Sequence, residues 1–297
     1  MMHPLPMITL QIRDRITDAG RIGGHNEDRL GATARSAFVI DGATGLSDER
    51  LFPEFSSDAE WLADRSCRQF EADGDLAVET VVETICREAA DAVGAAAGEQ
   101  SVPAWALPIA GFQMIRIEGD ALVSYGLGDC RLFVLSDRDG GVFETSALRD
   151  NPAVEREQAR AAIELAGGLK ALGALNAHPD VRERLRQSRA LCNRPGARVW
   201  TLGTVPDAAG HIVREVLPLK APLTGLLCSD GFAALCDQYG LYDPAGFVAA
   251  ARDHGLAALL DALRNLERVR DPDGRTYPRY KISDDATAVL FDIGTSA

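Results

Sequence analysis

Acidic residues recur at one kind of place in this sequence. Asp41 ends the apolar run AFVI and is followed by Gly42. Asp129 sits in a Gly-Asp turn between two apolar runs. Asp230 follows LTGLLCS and precedes Gly231, and Asp284 and Asp285 open ATAVLF. Glu27 and Asp28 form an acidic pair in a polar loop ahead of AFVI. Alone, each reads as a turn or helix-cap residue, positions that Asp favours. As a set they point to a metal. Strand ends on one edge of a sheet converge, and carboxylates crowded there repel one another and lose water unless a cation neutralises them. Mg²⁺ and Mn²⁺ take such oxygen ligands and complete their shells with water. Two ions roughly 3.5–4 Å apart turn a water into a nucleophile at neutral pH and offset charge on phosphoryl oxygens. Glycine after Asp41 permits close backbone approach, so its carbonyl can also reach an ion.

The chain has 297 residues, 46% of them hydrophobic, and a net charge of −13. That length supports a full core. The acidity argues against nucleic acid as the main partner, because phosphate backbones are bound by basic surfaces. A phosphate-directed protein of this charge needs a local positive source, which bound cations supply. No apolar stretch reaches the roughly 18 residues of a membrane span, and the opening residues lack a signal-peptide pattern. The six cysteines, Cys67, Cys86, Cys130, Cys192, Cys228 and Cys236, include no C-x-x-C pair. Buried free thiols in a cytoplasmic protein are the expectation.

The elements that must position the acids follow from periodicity. Strands are expected at 7–17, 37–41, 109–117, 120–126, 130–136, 198–203, 211–217, 223–228 and 286–293. Ser57 and Glu60 have capping-box spacing ahead of a helix. Residues 75–98 place Leu76, Val78, Val81, Val82, Ile85 and Ala89 at helical spacing. Further helices are expected after Asp230 and at 244–253 and 256–269. Between 146 and 198 the chain turns arginine-rich, with helical stretches AVEREQARAAIELAG and PDVRERLRQSRAL. That segment reads as an insertion or flap over the sheets. Strands and helices come in blocks, which favours an α+β layered fold over a doubly wound parallel sheet.

NEDR (26–29), VIDG (39–42), GLGDCR (126–131), SDGF (229–232) and DDATAV (284–289) stand in the order and approximate spacing of a known family. They resemble the motifs of the metal-dependent type 2C (PPM-type) serine/threonine protein phosphatases, in a bacterial-like form. The resemblance spans nearly the whole chain. It implies one domain over 1–297, with the flap at about 146–198. It implies a four-layer αββα sandwich of two antiparallel sheets flanked by helix pairs. It implies two Mn²⁺ or Mg²⁺ ions, with room for a third. By position, Asp41 bridges both ions, the Gly42 carbonyl, Asp230 and Asp284 bind the first, and Glu27 helps hold the second. Asp129, with Asp230, holds the third. Asp28 and Asp285 support these ligands. Catalysis would rest on Asp41, Asp230 and Glu27.

The sequence departs from the pattern in places. The position of the family's phosphate-binding arginine, four residues before Glu27, is Gly23; Arg21 is the nearby candidate for the phosphate. Ala43 stands where many members carry a histidine. His25 is either a proton shuttle or an ordinary loop histidine. The loop 268–281, with Arg268, Arg270, Arg275, Arg279 and Lys281, either steers phosphorylated substrate or is simply solvated. Cys130 reads as a packed strand residue, not a nucleophile. The leading expectation is hydrolysis of phosphoserine and phosphothreonine in proteins. The rivals are a phosphatase of a small phosphorylated metabolite and a catalytically weak regulatory binding module.

Overall fold

The computed structural model describes residues 8–21, 24–148, 152–172, 174–218 and 220–295. Its strands are β1 (Ile8–Asp18), β2 (Arg29–Ala32), β3 (Ser36–Gly42), β4 (Ala110–Glu118), β5 (Ala121–Leu127), β6 (Arg131–Ser136), β7 (Val142–Thr145), β8 (Val213–Val216), β9 (Leu223–Cys228) and β10 (Ala286–Thr295). They form two antiparallel sheets, ordered β1-β10-β9-β6-β7 and β2-β3-β4-β5-β8. The central strands are continuous apolar runs because both faces are covered. In β3, Ala37 and Val39 face the other sheet, against Leu132, Val134, Val289 and Phe291. Phe38 and Ile40 point the opposite way, toward helices.

Those helices are α1 (Asp58–Ala72) and α2 (Val78–Ala97). They lay Leu62, Phe70, Val82 and Ile85 on Phe38, Phe112 and Met114. On the outer face of the first sheet, α6 (Asp230–Asp237), α7 (Pro244–His254) and α8 (Leu256–Asn265) set Leu235, Phe247 and Leu263 against Phe133, Leu226 and Leu290. The result is the four-layer αββα sandwich. Each fully enclosed phenylalanine or leucine contributes about 1.5–3 kcal/mol of burial, so three stacked apolar interfaces hold the strand ends in fixed relation.

Local chemistry sets the helix starts. Ser57 Oγ accepts from Glu60 N at 3.0 Å, as capping requires. Glu60 reaches back to Ser56 N at 2.9 Å, one residue earlier than the usual box. Ser229, ahead of α6, makes no cap hydrogen bond. Its Oγ accepts instead from Thr287 N at 3.0 Å, which ties the end of β9 to the start of β10.

Several elements differ from the sequence expectation. Residues 198–203 are not a strand and make only one bridge, Leu202 to Ala110. Asn193 captures this segment, accepting from Thr201 N at 2.8 Å and donating to Thr201 Oγ1 at 2.9 Å. The strand expected at 211–217 is shortened to β8, because Pro206–His211 coil into a 3₁₀ helix. The last long helix stops at Asn265 and continues as the wide turn Leu266–Arg270. β2 and β7, four residues each, are too short to show a period.

The 146–198 segment contains α3 (Pro152–Ala166), α4 (Leu169–Leu172) and α5 (Pro179–Arg189). Ala162, Leu169, Leu175 and Val181 form a small separate core, with Tyr280 and Ile282 packed on it. Arginines hold α5 to the loop after Gly42. Arg182 pairs with Asp48 at 2.9 Å, and Arg186 donates to the Leu46 carbonyl at 2.7 and 3.1 Å while lying over the Trp105 ring.

Candidate metal centre

The acidic motifs meet at one end of the sandwich. Asp41 closes β3 and pairs across the ladder with Gly111. A Cβ on Gly111 would lie 3.2 Å from Asp129 Oδ1, which puts the β5–β6 turn beside Asp41. Asp230 opens α6 after β9, and Asp284 and Asp285 precede β10, which pairs with β9. Glu27 and Asp28 precede β2, which pairs with β3.

Asp28, Asp41, Asp129 and Asp230 form one charge cluster. Burial holds the Asp41 carboxyl well above the usual carboxylate range, and Asp28, Asp230 and Asp129 push it further up. Asp41 and Asp230 are joined carboxyl to carboxyl by a hydrogen bond. Asp230 is raised by its enclosure and then by Asp284. It nevertheless touches solvent, as does Asp129, so the cluster is ringed by protein and still reachable. Asp28 is only 2% exposed, and burial and then Asp285 raise it. Its Oδ2 is buried without a hydrogen-bond partner. Cys130 packs between the sheets, where burial and these four acids drive its thiol far from ionising, so it is no nucleophile.

Glu27, Asp284 and Asp285 lie in a second, differently compensated group. Lys281 Nζ donates to Asp284 Oδ1 and, at 2.8 Å, to Thr44 Oγ1. Thr44 Oγ1 donates in turn to Glu27 Oε2 at 2.6 Å, and Ser57 Oγ donates to Glu27 Oε1. Glu27 N donates to Asp285 Oδ2 at 2.6 Å. Burial opposes the Lys281 charge, but Asp284, Glu27 and Asp285 outweigh it and hold the ammonium above the usual lysine range. Burial and Asp284 lift Asp285 to about 6 against the lowering bond from Glu27 N.

Two glycines let these loops cross. A Cβ on Gly231 would sit 2.0 Å from the Asp285 carbonyl oxygen. One on Gly42 would sit 2.6 Å from the Glu27 carbonyl oxygen. The DG pairs are thus explained by backbone packed on backbone. From α8, Arg264 donates to the Asp284 carbonyl at 2.8 Å and pairs with Asp18 and Glu267 at 2.7 and 2.8 Å.

A cleft of about 390 Å³ opens beside the acids. Glu27, Thr44, Arg189, Lys281 and Asp285 are in its wall, but Asp41, Asp129 and Asp230 are not. Arg21 and His25, both exposed, stand at it too. Gly23 lies outside the described residues. Arg189 comes from the end of α5 and was not singled out by the sequence; nothing in an arginine-rich helix marks which arginine turns inward. Of the basic loop, Arg279 is buried on Asp271 at 3.0 Å and Arg268 supports the Gly20 carbonyl, so both are structural. Arg270 and Arg275 are exposed.

The donor set fits a hard divalent cation: oxygen ligands only, excess negative charge, and a buried carboxylate oxygen without a partner. Among the described residues, no three His, Cys, Asp or Glu side chains already enclose a common metal-sized point. Asp41 and Asp230 are turned onto each other, and Asp284 onto Lys281.

Solved structures share this architecture. The catalytic domain of the serine/threonine protein phosphatase PstP, determined with two manganese ions, matches 97% of this chain and 100% of its own, at a TM-score of 0.54 and 18% identity. The chain has the fold of the PPM-type phosphatases. The Mycobacterium tuberculosis serine/threonine phosphatase PstP/Ppp matches over 96% of this chain and 99% of its own, at 0.52 and 18% identity. A bacterial serine phosphatase matches over 97% and 98%, at 0.51 and 12%. No family model and no curated protein matches the sequence. Among the described residues, no helix is long and apolar enough to cross a membrane.

Proposed function

We propose that this chain is a divalent-metal-dependent phosphatase acting on phosphoserine and phosphothreonine in proteins. One observation carries the reading: Asp28, Asp41, Asp129 and Asp230 crowd together at a reachable sheet end, with a buried carboxylate oxygen left unpartnered. Such a cluster is costly without a cation. The PPM-type fold supports the reading, because the solved proteins that share it are named as serine/threonine phosphatases and one was determined with manganese.

Asp41, Asp129, Asp230 and the Gly42 carbonyl would hold Mn²⁺ or Mg²⁺, with Asp28 behind them. A bound ion would supply Lewis-acid activation of water and charge neutralisation. The chain's own part is to position and to bind. Arg189 and Arg21 offer forked donors to phosphoryl oxygens at the cleft. The α5 arginines hold the cleft wall in place. Free cysteines throughout suit a cytoplasmic setting.

A second reading, a regulatory module that binds without turnover, draws on the Lys281–Asp284 pair, which neutralises an expected ligand from within. The test is hydrolysis by chelator-stripped protein of an aryl phosphate, a phosphopeptide panel and a metabolite panel, with and without MnCl₂. Phosphopeptide turnover that requires Mn²⁺ supports the proposal. Faster turnover of metabolites would move the substrate class, and no turnover at saturating Mn²⁺ would leave the binding module.

A further inference from the structure

Three arginines of α5 follow the loop after Gly42 in order. Arg189 donates to the Ala43 and Thr44 carbonyls, Arg186 to that of Leu46, and Arg182 pairs with Asp48. The helix is a ruler laid along one wall of the cleft. Arg189, the phosphoryl donor of the proposed function, stands nearest the Asp41-Gly42 turn. Arg186, three residues and about 4.5 Å of helix rise away, lies over the Trp105 ring at 4.1 Å. Trp105 lines the same cleft, together with Leu46, Ala106, Leu107 and Pro108. The wall thus changes from charged groups to carbon within reach of a short peptide, since an extended chain advances about 3.3 Å per residue.

This apolar shelf is firmly held. Leu107 packs against the core beneath α1 and α2, Leu46 is 5% exposed, and Trp105 is half-buried. Ala43 N donates to the Ile109 carbonyl at 3.1 Å, which fastens the 104–109 segment beside the Asp41-Gly42 turn. Trp105 already carries a guanidinium, itself bonded to the Leu46 carbonyl at 2.7 and 3.1 Å. A second cation brought to that ring meets like charge. A carboxylate set against the shelf loses water to carbon. An apolar side chain is the group the surface fits.

We propose that Trp105, with Leu107, is the specificity-determining surface of the cleft, and that it takes a large apolar side chain one to three residues from the phosphorylated serine or threonine. The inference rests on the phosphoprotein reading above and narrows its substrates to phosphopeptides with an apolar neighbour. A small phosphorylated metabolite held at Arg189 is too short to use the shelf.

The experiment measures kcat/KM of the full chain, at saturating MnCl₂, on phosphoserine peptides that differ in one residue. That residue is Leu, Gly, Lys or Glu, placed in turn at each of the three positions on either side of the phosphoserine. At one position or more, Leu is expected to exceed the other three by about tenfold, the scale on which an apolar pocket discriminates, with the difference in KM. Trp105→Ala is expected to bring the Leu-to-Gly ratio to about one, each variant's glycine peptide being its own reference. Trp105→Phe, which keeps a flat ring under Arg186, is expected to preserve the ratio. Leu107→Ala carries the same test if Trp105→Ala does not fold, and is expected to lower the ratio. Equal rates on Leu and Gly peptides, a preference for Lys or Glu, or an unchanged ratio in the folded Ala variants would overturn the shelf and leave a metal phosphatase standing. Turnover of metabolites but of no peptide, or no turnover at all, would overturn the phosphoprotein reading together with this inference.

Discussion

Asp41, closing β3, and Asp230, opening α6, hydrogen-bond to each other through their carboxyl groups. That bond exists only while one of the two keeps a proton, and a divalent ion bound there would displace it. Asp230→Asn and Asp41→Asn each remove one repelling charge and one ligand oxygen. Mn²⁺-dependent hydrolysis is expected to fall by about 100-fold or more, beyond what loss of a supporting group costs. The melting temperature in chelator is expected to hold or to rise by a few degrees. Rates and thermal melts on the same preparations check both, and full activity in Asp230→Asn would remove it from the ligand set.

The same crowding predicts how stability depends on pH. Asp28, Asp41 and Asp230 are raised above their ordinary value of 3.8, and Asp285 is raised to about 6. Between the unfolded and folded values, the folded ion-free chain binds more protons than the unfolded chain, so stability falls as pH rises. Melting temperature in chelator is therefore expected to drop from about pH 5 to about pH 7, a window in which ordinary carboxylates are already ionised in both states. Saturating Mn²⁺ should flatten the drop, since the cation offsets the repulsion. A stability that climbs with pH in chelator would contradict the cluster.

Asp41, Asp129, Asp230, Asp284 and Asp285 were legible because they stand where an apolar run stops or starts, and antiparallel strands with two buried faces bring such ends together. The layered α+β class was legible for the same reason. What escaped depends on partners distant in the chain. Residues 198–203 have strand-like content, yet Asn193 binds Thr201 and diverts the segment. Lys281 looked like one charge in a basic loop, and only the folded path sets it between Asp284 and Thr44. Arg279 in that loop is buried on Asp271, a pairing no local pattern announces.

Gly231 offers a test of positioning that alters no acidic side chain. Its missing Cβ would lie 2.0 Å from the Asp285 carbonyl oxygen, a backbone atom that cannot rotate away. Gly231→Ala must push the 284–285 loop off α6, at a cost of about 1–3 kcal/mol by the usual scale of overpacking. It should also weaken Mn²⁺ binding, because Asp230 and Asp285 move apart. Gly45→Ala is the control, since nothing lies within 4 Å of its Cβ direction. Denaturant melts and Mn²⁺ titration of the pair measure the difference. Equal behaviour of the two would mean that the close approach does not position the site.

Arg189 and Arg186 separate binding from support on a single helix. Arg186 is committed to the Leu46 carbonyl and lies over Trp105 at 4.1 Å. Among the described residues, Arg189 donates to the Ala43 carbonyl at 3.5 Å and to that of Thr44 at 3.2 Å, both at the outer edge of hydrogen-bonding range, and it lines the cleft. Burial holds its pKa below the usual arginine value, against the raising pull of Cys192, Glu27 and Asp129. A guanidinium held this loosely can fork onto phosphoryl oxygens without giving up a strong partner. Arg189→Ala is therefore expected to raise KM for phosphopeptides by about 10- to 100-fold, the scale of one charge-assisted hydrogen bond, with Mn²⁺ affinity and melting temperature little changed. Arg186→Ala should instead lower the melting temperature, because it frees α5 from the loop after Gly42. If Arg189→Ala left KM unchanged, the phosphate would have to be held by Arg21 or by the bound ion alone.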